Sequence, residues 1–154
     1  MNNKNGFTLI ELLAVIAIIA IISLVAIPNI VGLSDGIRKD NMLEDAKKLI
    51  SLAKYEVNKN YTIRNSTEHR FNITDLNTAD FERDETTGEI KDPDNGAYVL
   101  DKSFVIYKKS SSGTTYCISL VGSRRHIGDG TESGCILENE LHSRSRVEDG
   151  TLGG

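Results

Sequence analysis

The sequence has 154 residues, 39% hydrophobic and 26% charged, with a formal net charge of -4 at neutral pH. That is one domain's worth of chain with a single modest core, and the acidic balance argues against a nucleic-acid binder, which needs a basic excess. The averages conceal a division between an almost purely apolar N-terminal block and a polar remainder.

Residues 1–6 are short and polar and carry Lys4. Across residues 12–27 the only polar side chain is Ser23, and counted from Phe7 the apolar run reaches about 21 residues, enough for a helix to cross a bilayer core. The first cations beyond it are Arg38 and Lys39, after Asp35. The positive-inside rule therefore keeps the N-terminus cytoplasmic and sends the rest outside. No Ala-x-Ala-like cleavage site follows the run, where the chain reads Pro28-Asn29-Ile30-Val31-Gly32, so the span is expected to be retained.

Glu11 stands at the edge of this run with no cation beside it. An acidic side chain in the apolar part of a membrane costs about 2.5 to 3.5 kcal/mol on translocon scales, so it points to a function and a partner. On a helix Glu11 shares a face with Phe7, four residues earlier, within reach of a free amine there. The plain alternative is an ordinary signal anchor with Glu11 at the water interface.

A short polar leader, Gly6, Phe7-Thr8-Leu9-Ile10-Glu11 and then Leu12-Leu13-Ala14-Val15-Ile16-Ala17-Ile18 resembles the class III signal of type IV pilins and pseudopilins. The resemblance covers about the first 30 residues. It implies cleavage by a prepilin peptidase between Gly6 and Phe7, N-methylation of Phe7, and pairing of the Glu11 carboxylate with the terminal amine of a neighbouring subunit during assembly. It also implies a single-pass membrane protein before assembly, with the head outside, and then an extracellular pilus or pseudopilus. The partners implied are copies of the chain and other pilins, the peptidase, an assembly platform with its cytoplasmic ATPase, and the membrane. No cofactor, no metal and no nucleic acid are expected.

Pro28 and Gly32 are soft positions in a helix, where a simple kink or, as the resemblance implies, local melting is expected. Beyond them Leu43, Ala46, Ile50, Ala53 and Val57, with Leu49, form one apolar stripe opposite Glu44, Lys47, Lys48, Lys54 and Lys59. One long helix over residues 7–58, with 7–27 transmembrane, is predicted. Residues 59–96 are polar and read as a connecting loop with a short helical turn near 73–81. Strands are predicted at 97–100, 103–109, 114–121 and 135–138 within an antiparallel head spanning 97–142. Residues 143–154 read as a flexible tail. The fold class is α+β, a long helix whose second half packs on a small antiparallel sheet.

Cys117 and Cys135 lie outside the membrane on this reading, and an exported pair favours a disulfide over two buried thiols. His69, His126 and His142 have no metal-ligand spacing, and no nucleophile has a recognisable partner. Asp92-Pro93-Asp94-Asn95-Gly96 has calcium-loop composition but lacks the distal glutamate of an EF-hand, and reads as a tight turn. Arg124, Arg125 and His126 form a small basic cluster in a loop. A filament subunit serving adhesion or motility is the first functional reading. The second is a pseudopilin for secretion or DNA uptake. A membrane-anchored enzyme or receptor would need a pocket of titratable groups that the sequence does not display.

Overall fold

The computed structural model describes residues 7–152, and for residues 24–31 it describes the course of the helix alone. The chain divides into two compact units, the first ending at Ile37 and the second beginning at Arg38. Helix α1 (Leu9–Lys59) is unbroken across Pro28 and Gly32. Ser23 donates its hydroxyl to the Ile19 carbonyl at 2.7 Å, which satisfies the one hydroxyl of the apolar run from within the helix. Among the described residues no helix is long and apolar enough to cross a membrane. The described side chains of the apolar run end at Ser23, and residues 24–27 lie outside them.

In the second unit the predicted stripe is the helix's share of the core. Leu43, Ala46, Leu49, Ile50, Ala53 and Val57 are all buried, joined by Met42, and they cluster with Phe71, Val105, Tyr107, Ile118, Leu120 and Ile127 of the sheet. Asn60 ends α1 and starts α2 (Tyr61–Arg64), its side-chain oxygen accepting the Thr62 amide at 3.0 Å.

The sheet consists of β1 (Glu68–Asn72), β2 (Phe104–Ser110), β3 (Gly113–Val121), β4 (Arg125–Ile127), β5 (Ile136–Leu137) and β6 (Glu148–Asp149). Its order is β1-β2-β3-β4-β6, with β5 also on β3, and every pairing is antiparallel. Residues 104–107 are buried without alternation, which is how a strand reads when both faces are covered. One face meets α1. On the other, Phe104 and Ile106 pack with Cys117 and the half-buried Cys135, and the Arg70 guanidinium lies 3.9 Å from the Phe104 ring.

Several expectations are revised. The connecting segment 59–96 contains β1, whose one buried apolar residue, Phe71, gives no alternation to read. Within it the turn is a 3-10 turn at Ile73–Asp75. Residues 97–100 form no strand: they are held by a single bridge between Lys91 and Ala97 and by the Val99 amide donating to the Val121 carbonyl at 2.8 Å. Of the basic loop, Arg125 and His126 lie in β4. The supposed tail carries β6 paired to β4, buries Val147, and sets Arg144 against Asp40 and Lys39 against Asp149.

Candidate functional site

Thr8 immediately precedes α1, and Glu11 is the third residue of the helix. The Glu11 amide donates to Thr8 Oγ1 at 3.3 Å. In return the Glu11 carboxylate accepts both the Thr8 amide and the Thr8 hydroxyl, each at 3.1 Å on Oε2. This is a reciprocal capping box. It satisfies two of the amides that every helix start leaves without partners and places a negative charge where the helix dipole favours one. The Thr-x-x-Glu spacing ahead of an apolar run was the signal for it, and reading Glu11 only against Phe7 missed it. The described bonds of the carboxylate go to Thr8, three residues back.

Around this carboxylate the other side chains of residues 9–22 are all apolar and spread over every side of the helix. Phe7, Leu9 and Ile10, then Leu12, Leu13 and Val15, are between 46% and 83% exposed. Ile16, Ile18, Ile19, Ile21 and Ile22 continue the pattern. A helix hydrophobic all round is built for apolar surroundings, and contiguous exposed apolar surface marks a protein or membrane contact.

Residues 1–27 match the family described as the prokaryotic N-terminal methylation motif. The chain carries that motif. It supports a protein of the type IV pilin and pseudopilin type. No curated protein and no solved structure matches the chain. Phe7, Thr8 and Glu11 fall within the matched residues, and so does Gly6, which lies outside the described part of the structure.

In the second unit, the other singled-out residues are accounted for by structure. Cys117 and Cys135 are joined in a disulfide with their Cα atoms 5.5 Å apart. Asp92 Oδ1 accepts the amides of Asp94 at 2.8 Å and Gly96 at 2.9 Å, while its Oδ2 accepts the Ser123 amide. A Cβ on Gly96 would collide with the Ser123 side chain and crowd the Asp92 carboxylate, which favours glycine in this turn. The Asp94 carboxylate is fully covered and bound by Arg125 and Arg38. Burial raises its pKa, but the hydrogen bonds from Arg125 and Arg38 outweigh that, and the carboxyl ends below its usual range. These acids are therefore engaged by backbone amides and guanidinium groups. No group of three His, Cys, Asp or Glu among the described residues is placed to hold a metal.

The basic cluster does not present itself as a patch. Arg125 and His126 are buried in β4, and Arg124 alone of the three is exposed. His69 stacks edge-on against Phe71 with ring centroids 4.5 Å apart. His142 Nδ1 is 3.1 Å from the Asn139 carbonyl oxygen.

Proposed function

We propose that this chain is a structural subunit of a type IV pilus, cleaved after Gly6, N-methylated on Phe7, and assembled through its apolar helix. The observation that carries the reading is one carboxylate, fixed in the first turn of α1, whose opening stretch over residues 9–22 is otherwise apolar on all sides. In a bundle of such helices the charge on Glu11 needs a cation, and the amine freed on Phe7 of an incoming subunit supplies one. The capping box uses Oε2 and holds the carboxylate in place for that encounter. Before assembly the same apolar surface sits in the membrane with the N-terminus cytoplasmic and the head outside. The chain is read as having no catalytic role, and adhesion or motility as the work of the filament.

Electron microscopy with an antibody to a tagged copy tests the reading. Long surface filaments containing the chain are expected. Short stubs formed only on overproduction would identify a pseudopilin instead, and a chain found solely in the membrane would sink both. Peptide mass analysis of sheared material should find Phe7 as a methylated N-terminus.

A further inference from the structure

Beyond the apolar helix, the second unit has an outward helix face that its own fold does not use. Lys47, Ser51, Tyr55 and Lys59 recur every four residues and are all exposed, so they form one row along α1. Tyr55 keeps 61% of its surface in solvent and Tyr61, just past the helix end, keeps 72%. Lys59 stands 5.9 Å from the Tyr55 ring centroid and Arg64 stands 5.5 Å from that of Tyr61. Residues 47–64 hold five cations and a single acid, Glu56. Lys47, Lys59 and Arg64 form no ion pair among the described residues. Exposed tyrosine beside arginine is the composition that interface centres favour.

The same unit carries a feature of opposite sign. Residues 83–90 form a tongue, with Arg83 bridged to Ile90 and the Asp84 amide donating to the Glu89 carbonyl at 2.9 Å. Asp84 Oδ1 accepts the amides of Thr86 and Thr87, each at 2.9 Å, which fixes the tip. Asp80, Asp84, Glu85 and Glu89 form no ion pair among the described residues.

We infer that the Lys47-to-Arg64 face docks the acidic tongue of a second copy of this chain, an inference that rests on the filament reading above. The two surfaces differ, so the contact is head-to-tail, and contacts of that kind propagate into open helical arrays instead of closing as dimers. Two basic faces, or two tongues, repel each other, which sets the register between neighbours. A filament holds copies side by side, so a weak charged contact acts at high effective concentration. A free polyanion such as nucleic acid has no such advantage and is repelled by the net negative charge of the chain.

The test uses the full chain expressed with its peptidase and assembly machinery, scored as sheared filament relative to membrane pool. Lys59→Glu with Arg64→Glu, and separately Asp84→Lys with Glu85→Lys, should each lower the yield about tenfold or more, since opposed like charges cost several kcal/mol. Combining all four should restore it to within about twofold of the native chain, because the attraction is re-formed with its signs exchanged. As a second measurement on an otherwise native surface, Lys59→Cys and Glu85→Cys chains mixed in one filament should give a dimer with a bismaleimide. Unchanged yield in the charge reversals, or loss of yield without rescue together with no crosslink, overturns the inference. If binding of labelled duplex DNA is lost in Lys59→Glu with Arg64→Glu while filaments stay normal, the face belongs to nucleic acid. Absence of filaments from the native chain sinks the filament reading itself, a different outcome from normal native filaments that ignore the reversals.

Discussion

Thr8 and Glu11 hold each other through three hydrogen bonds, two of them converging on one carboxylate oxygen of Glu11. Glu11 therefore has two separable duties, one to its own helix start and one, on the proposed reading, to the amine of a neighbour. Glu11→Gln keeps a side chain that still completes the box but removes the charge, and Thr8→Ala removes the cap and keeps the charge. Thr8→Ala should weaken the helix start by about 1 kcal/mol and reduce filament yield only mildly. Glu11→Gln and Glu11→Leu should both abolish filaments while membrane insertion is kept. Normal yield from Glu11→Leu, measured where this chain is the only subunit supplied, would leave the carboxylate as a cap and nothing more.

The buried pair of Asp94 and Arg125 ties the turn after Asp92 to β4. Removing one partner leaves the other covered and uncompensated, so Asp94→Ala should lower the stability of the second unit by about 3 to 5 kcal/mol. Thermal unfolding of the detergent-solubilised chain reads this. Asp40→Ala, which breaks the exposed pair with Arg144, is the contrasting control and should leave the unfolding midpoint almost unchanged, because water and salt screen an exposed ion pair.

Two acids near this helix give opposite pH dependence. The pKa of Asp94 is lowered in the fold, so its stabilisation is present above the ordinary aspartate value of about 3.9 and is lost as pH falls through the lower folded value. Asp45 is raised by burial, against the lowering hydrogen bond from Tyr98. Its ionised form is thus disfavoured by folding, and that penalty is relieved as pH falls through the raised folded value. Asp45→Asn should raise the unfolding midpoint at neutral pH and have less effect in acid. A larger benefit in acid than at neutral pH would contradict the assignment.

The disulfide between Cys117 and Cys135 spans 18 residues, a loop whose closure is worth about 3 kcal/mol in the chain-entropy model. It secures the segment that covers Phe104 and Ile106 on the far face of the sheet. Reduction, or Cys117→Ser with Cys135→Ser, should lower the unfolding midpoint and open this face to protease before the helix-facing core is lost. Mass analysis of the unreduced, alkylated chain should find neither thiol modified.

The elements that were legible in the sequence are those with a period long enough to read. The stripe from Leu43 to Val57 covers four turns, and β2 and β3 have seven and nine residues rich in branched and aromatic side chains. β4, β5 and β6 have only two or three residues each, too few for alternation, and β1 is dominated by polar side chains because its position rests on the β2 ladder. The same limit hid the role of Arg125. Its neighbours in sequence, Arg124 and His126, made it look like surface charge, whereas its partner Asp94 lies 31 residues away. At the helix start, Glu11 was marked by its cost in apolar surroundings, but its nearest partner followed from a capping rule that the same residues already spelled out.

Besides the pairing of β6 with β4, the contacts of Arg144 with Asp40 and of Lys39 with Asp149 span 104 and 110 residues between helix and C-terminal segment. Closure over such distances belongs to the slow end of folding. The order of delivery matters as well. A chain handed out from its N-terminus has the helix waiting while the strands arrive, and the β4–β6 ladder and both ion pairs form only once residues 144–149 are released. Until then the edge of β4 is bare and the Asp94–Arg125 turn lacks its outer neighbour Asp149, so the emerging head stays open to a chaperone or a protease until β6 has been delivered.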